Sequence, residues 1–386
     1  MRSSLRAHRH GKRSRRWWGA VALVAVVALA LVPSALAHRG HRDAGGRGLG
    51  HFAQRNLVSD IPGAAELRDG DLVNAWGLAF GPTTPAWVAD NGKDVSTLYS
   101  GAVGGTPVVK SGLTVSIPGG APTGAVFNGN PNAFVVHSGA SSGSARFLFA
   151  SEAGIISGWS PAVPAPPPSP STQAQVAVPV PGAIFKGLAI ADTATGPQIY
   201  ATDFHNGQVD VWDANFAPVQ RPGAFQDPAI PKGFAPFGIQ AITGGIVVTY
   251  ARQDADAEDD VAGAGNGFVD VFDTAGTLLR RFAARGPLNS PWGIAPAPQG
   301  FGRASGALLI GDFGDGRINA YDPVSAKFLG ALRDEHGRRL AIDGLWALQF
   351  GNGVIGTPQT LLFTAGPQEE SHGLFGELTA VSRHDR

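Results

Sequence analysis

The feature that most restricts the fold of this chain is a short phrase that returns six times. It opens on Gly, alternates variable and apolar residues, and closes on an aromatic or apolar residue followed by Asp, Ser or Thr. The clear copies are Gly154-Ile-Ile-Ser-Gly-Trp-Ser160, Gly207-Gln-Val-Asp-Val-Trp-Asp213, Gly267-Phe-Val-Asp-Val-Phe-Asp273 and Gly316-Arg-Ile-Asn-Ala-Tyr-Asp322. Looser copies begin at Asp94 and Gly373, and the period is 49 to 60 residues. Period-two alternation inside a unit of that length marks a radial β-repeat, because a single small sheet cannot bury its faces alone.

A second phrase precedes each copy. It centres on Gly77, Gly124, Gly187, Gly238, Gly293 and Gly344, which fall 47, 63, 51, 55 and 51 residues apart. Between the two phrases lies an apolar run such as Ala86-Trp-Val-Ala or Ile246-Val-Val-Thr-Tyr. Each unit thus holds an inner, a middle and a third strand, with room for an outer fourth. The expectation is an all-β, six-bladed β-propeller of four-stranded blades. Small inner-strand residues suit a crowded axis, and the terminal aromatic of the third strand fills the wedge between diverging blades.

The sixth unit ends one strand short, at Glu377-Leu-Thr-Ala-Val381. The segment Gln54–Ser59 is one strand left over. It is expected to pair into the last blade and so remove both free edges. Pro161 to Pro170 holds six prolines in ten residues; it reads as a surface loop that lengthens the second blade.

The ends carry a different message. Residues 1–37 read as a secretory signal: a basic start, an apolar run over Gly19 to Val32, and an Ala35-Leu36-Ala37 cleavage site. Residues 38–50 read as a disordered linker, 51–382 as one propeller domain and 383–386 as a polar tail. The 14-residue apolar run is shorter than the ~20 needed to cross a bilayer, so no stable membrane span is expected after cleavage. The expected location is the cell exterior or periplasm, by general secretion or twin-arginine export. Cleavage leaves 23 basic against 30 acidic residues, which disfavours nucleic acid as a partner. The chain has no cysteine, excluding disulfides and thiolate chemistry. A monomer is expected.

Propeller topology brings two sets of loops to one face: those entering the inner strands, and those joining second to third strands. The expected binding face comprises Asn74, Asp90, Glu152, Lys186, Asp203, His205, Asp312 and Asp343. Such an acidic mouth suits a small molecule, a cation or a protein. Asp90, Asp203 and Asp312 each precede a tight connection, where a carboxylate commonly holds its own turn. The loop from Asp254 to Gly267 is denser: Asp254, Asp256, Glu258, Asp259 and Asp260 put five carboxylates in seven residues. They require solvent or a cation, so Ca²⁺ is the candidate metal, although EF-hand spacing is missing. His205 and His372 are the candidate general bases.

The stretches Ala89-Asp90-Asn-Gly, Thr202-Asp203-Phe-His-Asn-Gly and Gly311-Asp312-Phe-Gly-Asp-Gly resemble NHL-type blades, which implies a largely architectural role for these aspartates. Val73-Asn-Ala-Trp-Gly77, Ala235-Pro-Phe-Gly238 and Phe363-Thr-Ala-Gly-Pro367 resemble a family of uncharacterised exported bacterial six-bladed propellers, from about Asn56 to Val381. That resemblance implies a fold and no activity. The expected function is a secreted binding or interaction module. The alternatives are a Ca-type metal-dependent hydrolase similar to gluconolactonase propellers and a lyase similar to streptogramin-inactivating propellers. The first lacks an acid where the lactonases carry their first metal-binding Glu, since Asn74-Ala-Trp-Gly77 stands there.

Overall fold

The computed structural model describes residues 48–381, as a six-bladed β-propeller. Blade one is built from Ala75–Ala79, Ala86–Asp90, Val95–Gly101 and Val108–Ser116, in that order from the axis outward. Blade two uses Pro122–Phe127, Phe147–Ser151, Ile155–Trp159 and Gln175–Pro179. Its proline-rich segment separates the third and fourth strands, and a small hairpin of Val135–Ser138 and Ser141–Ser144 lies between the first and second. Blade three has Phe185–Thr193, Gly196–Asp203 and Gln208–Trp212. Its outer place is taken by a short segment in which Pro218 bridges Trp212 and the Val219 N–H donates to the Val211 carbonyl at 2.8 Å.

Blades four and five comprise Phe234–Ile242, Gly245–Arg252, Gly267–Phe272 and Leu278–Ala284, then Pro291–Pro296, Leu308–Asp312, Ile318–Tyr321 and Phe328–Ala331. Blade six runs Leu345–Phe350, Leu361–Ala365 and Leu374–Ala380, and is completed by Phe52–Ser59 from the other end of the domain. That strand pairs antiparallel with Leu374–Ala380 from Phe52↔Ala380 to Ser59↔Leu374. The leftover N-terminal strand therefore closes the ring, with Arg55 bridging Glu377 at 3.1 Å. Leu67–Arg68 adds a short parallel edge outside it.

Close approach of the inner strands explains their glycines. A Cβ on Gly77 would stand 2.2 Å from the Thr123 carbonyl, and one on Gly238 would stand 2.1 Å from the Trp292 carbonyl. Threonines of the second strands stitch neighbouring blades. Thr202 Oγ1 donates to the Phe237 carbonyl at 2.7 Å, Thr249 Oγ1 to Pro291 at 2.6 Å, and Thr364 Oγ1 to Trp76 at 2.5 Å. The last of these joins blade six to blade one.

Between blades, the third-strand aromatics are buried as expected for wedges. Tyr99 packs 5.6 Å from Phe375 of blade six, and Trp212 lies with Leu148 and Ala150 of blade two. Each such ring contributes roughly 1.5–3 kcal/mol through burial.

One register differs from expectation. In blade six Leu345 faces Ala365 and Leu348 faces Phe363, as Ala75 faces Asp90 and Leu78 faces Val88 in blade one. The residue equivalent to Gly77 is therefore Ala347, three positions beyond Gly344. Gly344 has φ +66 and packs on the Gly366 backbone, so its glycine serves a turn. Of the residues read as leader, linker and tail, all but Gly48, Leu49 and Gly50 of the linker lie outside the described residues.

Candidate functional site

In five blades the residue just before the inner-strand glycine, or its equivalent, belongs to an axial layer: Trp76, Lys186, Phe237, Trp292 and Trp346. In blade two Thr123 instead donates Oγ1 to the Phe185 carbonyl of blade three at 2.6 Å. Four of the five are aromatic, and they pack on one another. Trp346 stacks on Trp76 with ring centroids 3.6 Å apart and on Phe313 with centroids 4.0 Å apart. Trp292 meets Trp346 edge-on at 5.8 Å, and Phe237 lies 5.8 Å from it.

This aromatic layer plugs the axis. Below it only about 30 Å³ remains, lined by Leu78, Leu188, Ile239, Ile294 and Leu348 among others. Above it opens a pocket of about 180 Å³, lined by Trp76, Lys186, Phe237, Asp259, Asp260, Phe313, Trp346 and Glu370. The volume is about that of six water molecules, at roughly 30 Å³ each.

Polar side chains from successive blades form a belt around this mouth. Trp346 Nε1 donates to Asn74 Oδ1 at 3.0 Å, and Asn74 Nδ2 donates to both Asn91 Oδ1 and Glu370 Oε1 at 3.2 Å. Asn91 Nδ2 donates to Glu152 Oε2 at 3.1 Å. Lys186 Nζ then donates to Glu152 Oε1 at 2.5 Å and to Asp259 Oδ1 at 3.0 Å. Trp292 Nε1 crosses to the Lys186 carbonyl at 2.9 Å. Blades six, one, two, three and four are thereby linked through side chains at the rim.

Lys186 is almost wholly buried, 2% exposed, and its ammonium lies 5.4 Å from the centre of the Trp76 ring. Burial alone would lower its pKa, but Glu152 and Asp259 more than offset that and raise it. Glu370 is perturbed in the opposite sense. Burial first, then repulsion from Glu152, pushes its carboxyl up to about 7 against the pull of Lys186 and Asn74. Burial also raises Asp260, against the pull of the neighbouring Ser290 hydroxyl and of Lys186. The buried Trp76 Nε1–H likewise has no acceptor.

An unusual backbone delivers Glu370. Gln368, Glu369 and Glu370 are consecutive non-glycine residues with φ of 57, 55 and 62. Left-handed residues cost roughly 1–2 kcal/mol each, so the surroundings must hold the turn. The Asp343 carboxylate accepts the Gln368 N–H at 2.9 Å, and the Glu370 N–H donates to the Gly366 carbonyl at 3.1 Å. Strain of this kind gathers where a side chain must be aimed.

The expected face is thus only partly assembled at one point. Lys186, Asp259 and Asp260 line the pocket; Asn74 and Glu152 support it; Asp343 holds the turn that carries Glu370. Asp90, Asp203 and Asp312 are fully buried and bond within their own blades. Asp90 Oδ2 accepts the Thr97 N–H at 2.9 Å, Asp203 Oδ2 accepts Asn206 Nδ2 at 2.7 Å, and Asp312 Oδ2 accepts Asn319 Nδ2 at 2.6 Å. Burial pushes Asp90 and Asp312 well above the usual carboxylate range.

The acidic loop divides rather than converging. Asp254 Oδ1 accepts the Glu258 N–H at 3.0 Å, Asp256 and Glu258 are exposed, and Asp259 meets a lysine. No group of three or more His, Asp or Glu is arranged to hold a metal ion among the described residues. The two histidines stay outside the pocket lining. His205 is exposed, and His372 Nδ1 lies 2.7 Å from Asp60 Oδ2.

Sequence reasoning missed Trp76, Phe237, Phe313, Trp346 and Glu370. The signal for the first two and for Trp346 was present, in a bulky residue at one fixed place of five of the six inner strands. Nothing local separates Glu370 from its exposed neighbour Glu369.

No family model matches the chain. Uncharacterized protein R648 of Acanthamoeba polyphaga mimivirus is 32% identical over 331 residues, covering 83% of this chain and 78% of that protein. Uncharacterized protein L690 of the same virus is 30% identical over 335 residues, covering 83% and 84%. The chain belongs to the family of these mimivirus proteins. Members of the family share most of the propeller's length with it.

Among solved structures, a protein of unknown function from Bacteroides thetaiotaomicron aligns with TM-score 0.50 at 9% identity, over 85% of this chain and 76% of that one. A gluconolactonase from Xanthomonas campestris aligns at 0.48 with 13% identity, over 81% and 87%. A streptogramin B lyase aligns at 0.45 with 11% identity, over 86% and 98%. Identity this low speaks to the fold alone. No helix of the described residues is long and apolar enough to cross a membrane.

Proposed function

We propose that the chain is a secreted binding module that receives a small polar molecule in the axial pocket. One observation carries this: five blades send a side chain to the axis, and there an aromatic floor meets a charged rim around about 180 Å³. A purely structural plug would need neither a buried lysine nor a strained turn that places Glu370 over it, since buried charge costs several kcal/mol unless compensated. Export is supported by the leader-like residues 1–37; released protein is expected to begin at His38 on N-terminal sequencing.

The test is a melting screen of the purified protein against small molecules of cationic, neutral and anionic classes. A ligand binding the folded state raises the midpoint by mass action. Compounds that do so are expected to lose the effect in Trp76→Ala and in Glu370→Gln. Stabilisation retained in both variants, or absent throughout the screen, would rule the pocket out as the binding site.

A second reading is favoured by Glu370, whose carboxyl titrates near neutrality and so is suited to proton transfer at cellular pH. Chemical conversion of a bound compound, lost in Glu370→Gln with binding retained, would establish an enzyme.

A further inference from the structure

The charges lining the pocket do not cancel. Lys186 is its only basic lining residue, and that ammonium is already held by Glu152 and Asp259. Two lining carboxyls are left over. Glu370 has only the neutral Asn74 amide as a donor, and the Asp260 carboxyl, with Oδ2 buried, has the neutral Ser290 hydroxyl beside it and forms no ion pair. Carboxyls without a cationic partner beside a low-dielectric aromatic floor attract a cation more strongly than in water. The floor already accommodates one positive group, since Lys186 lies over the Trp76 ring.

A second orphan points the other way in polarity. Of the three axial indoles, Trp292 and Trp346 each donate to a protein oxygen. Trp76, only 2% exposed, lines the pocket with its N–H unpaired. A buried donor without an acceptor is unfavourable, a cost that a ligand oxygen would remove. The volume admits a molecule of only a few heavy atoms, well below the ~300–1,000 Å³ of drug-sized pockets.

Resting on the binding function proposed above, we infer that the ligand is a small organic ammonium ion carrying an oxygen acceptor, its cation between Glu370 and Asp260 and its oxygen toward the Trp76 N–H. An amino alcohol is the simplest member of this class. A methylated and an unmethylated ammonium share this chemistry, and the experiment separates them.

Binding is followed by tryptophan fluorescence and calorimetry with choline, ethanolamine, tetramethylammonium and 3,3-dimethylbutan-1-ol, the uncharged counterpart of choline. Choline or ethanolamine is expected to bind at least about tenfold more tightly than the uncharged alcohol, through Coulomb attraction to the two carboxyls that the alcohol lacks. Tetramethylammonium, lacking the oxygen, is expected to fall several-fold below choline, roughly the worth of one neutral hydrogen bond. Glu370→Gln should remove the preference for charge while leaving the alcohol within about twofold, since only the carboxylate's attraction for a cation is lost. Trp76→Phe keeps the ring and should erase the advantage of choline over tetramethylammonium. Circular dichroism and melting of each variant establish that it is folded.

Equal binding of choline, ethanolamine and the uncharged alcohol would overturn this inference and leave the binding function standing. So would neutral or anionic compounds occupying the pocket while both amino alcohols fail. Failure of every class of compound would instead overturn the binding function itself.

Discussion

Trp346 of blade six donates its indole N–H to the side-chain oxygen of Asn74 in the loop entering blade one, at 3.0 Å. The same amide donates to Glu370 and to Asn91, so one residue ties the aromatic floor to the acidic rim across the seam where the ring closes. Asn74 also sits at φ 46, a conformation that Asn tolerates better than most residues.

Asn74→Ala removes three hydrogen bonds and leaves the Trp346 N–H buried without a partner. A loss of about 2–4 kcal/mol is expected in denaturant unfolding. Asn74→Gly should be milder by about 1 kcal/mol, because it relieves the left-handed strain while losing the same bonds.

The inner strands leave no room for a methyl group. Gly238→Ala would drive a Cβ to 2.1 Å from the Trp292 carbonyl, and a cost of about 3 kcal/mol or more is expected. Gly207→Ala is the control. It has open space around it and φ +67, so only its backbone strain of about 1–2 kcal/mol should appear. Chemical denaturation of both variants checks the difference.

Ring closure depends on Phe52–Ser59. Beginning the chain after Ser59 would expose the length of Leu374–Ala380 as an open edge and release the Arg55–Glu377 bridge. The truncated protein is expected to aggregate or to lose its cooperative unfolding transition. A soluble monomer with an unchanged transition would show that the seam contributes little.

Glu370 links stability to pH with a definite sign. Its carboxyl is raised from 4.5 to about 7 in the folded state. Its contribution is therefore complete below about 4.5 and is lost as pH rises through about 7. The full loss is at most about 3 kcal/mol at 1.36 kcal/mol per unit. Glu370→Gln should be more stable than the parent at pH 8 and gain nothing at pH 4. Ammonium binding should change oppositely in the parent, strengthening as Glu370 ionises. Paired unfolding and binding titrations from pH 4 to 8 check both.

How much of this was legible beforehand follows from which forces are local. The six units, their alternation and the closing strand were readable because binary patterning is written residue by residue. The proline-rich insertion was readable because proline cannot donate to a ladder. The sixth inner strand was misregistered because Asp343-Gly344 imitates the phrase while performing a turn.

The site was harder to see. Carboxylates were located in the right loops, but whether each one holds a turn, meets Lys186 or lines the pocket depends on contacts between residues far apart in sequence. Asp256 and Asp259 share one acidic loop, yet only Asp259 meets Lys186. The axial aromatics were in view as strand residues. Their convergence needed the register between blades, which hydrophobic pattern alone leaves undetermined.

The most direct measurement is a crystal structure of the protein soaked with choline at saturating concentration. Density is expected above Trp346, with the ammonium between the Glu370 and Asp260 carboxyls and the hydroxyl within hydrogen-bond distance of Trp76 Nε1. Density elsewhere on the propeller, with the axial pocket holding only water, would contradict the assignment of this pocket as the binding site.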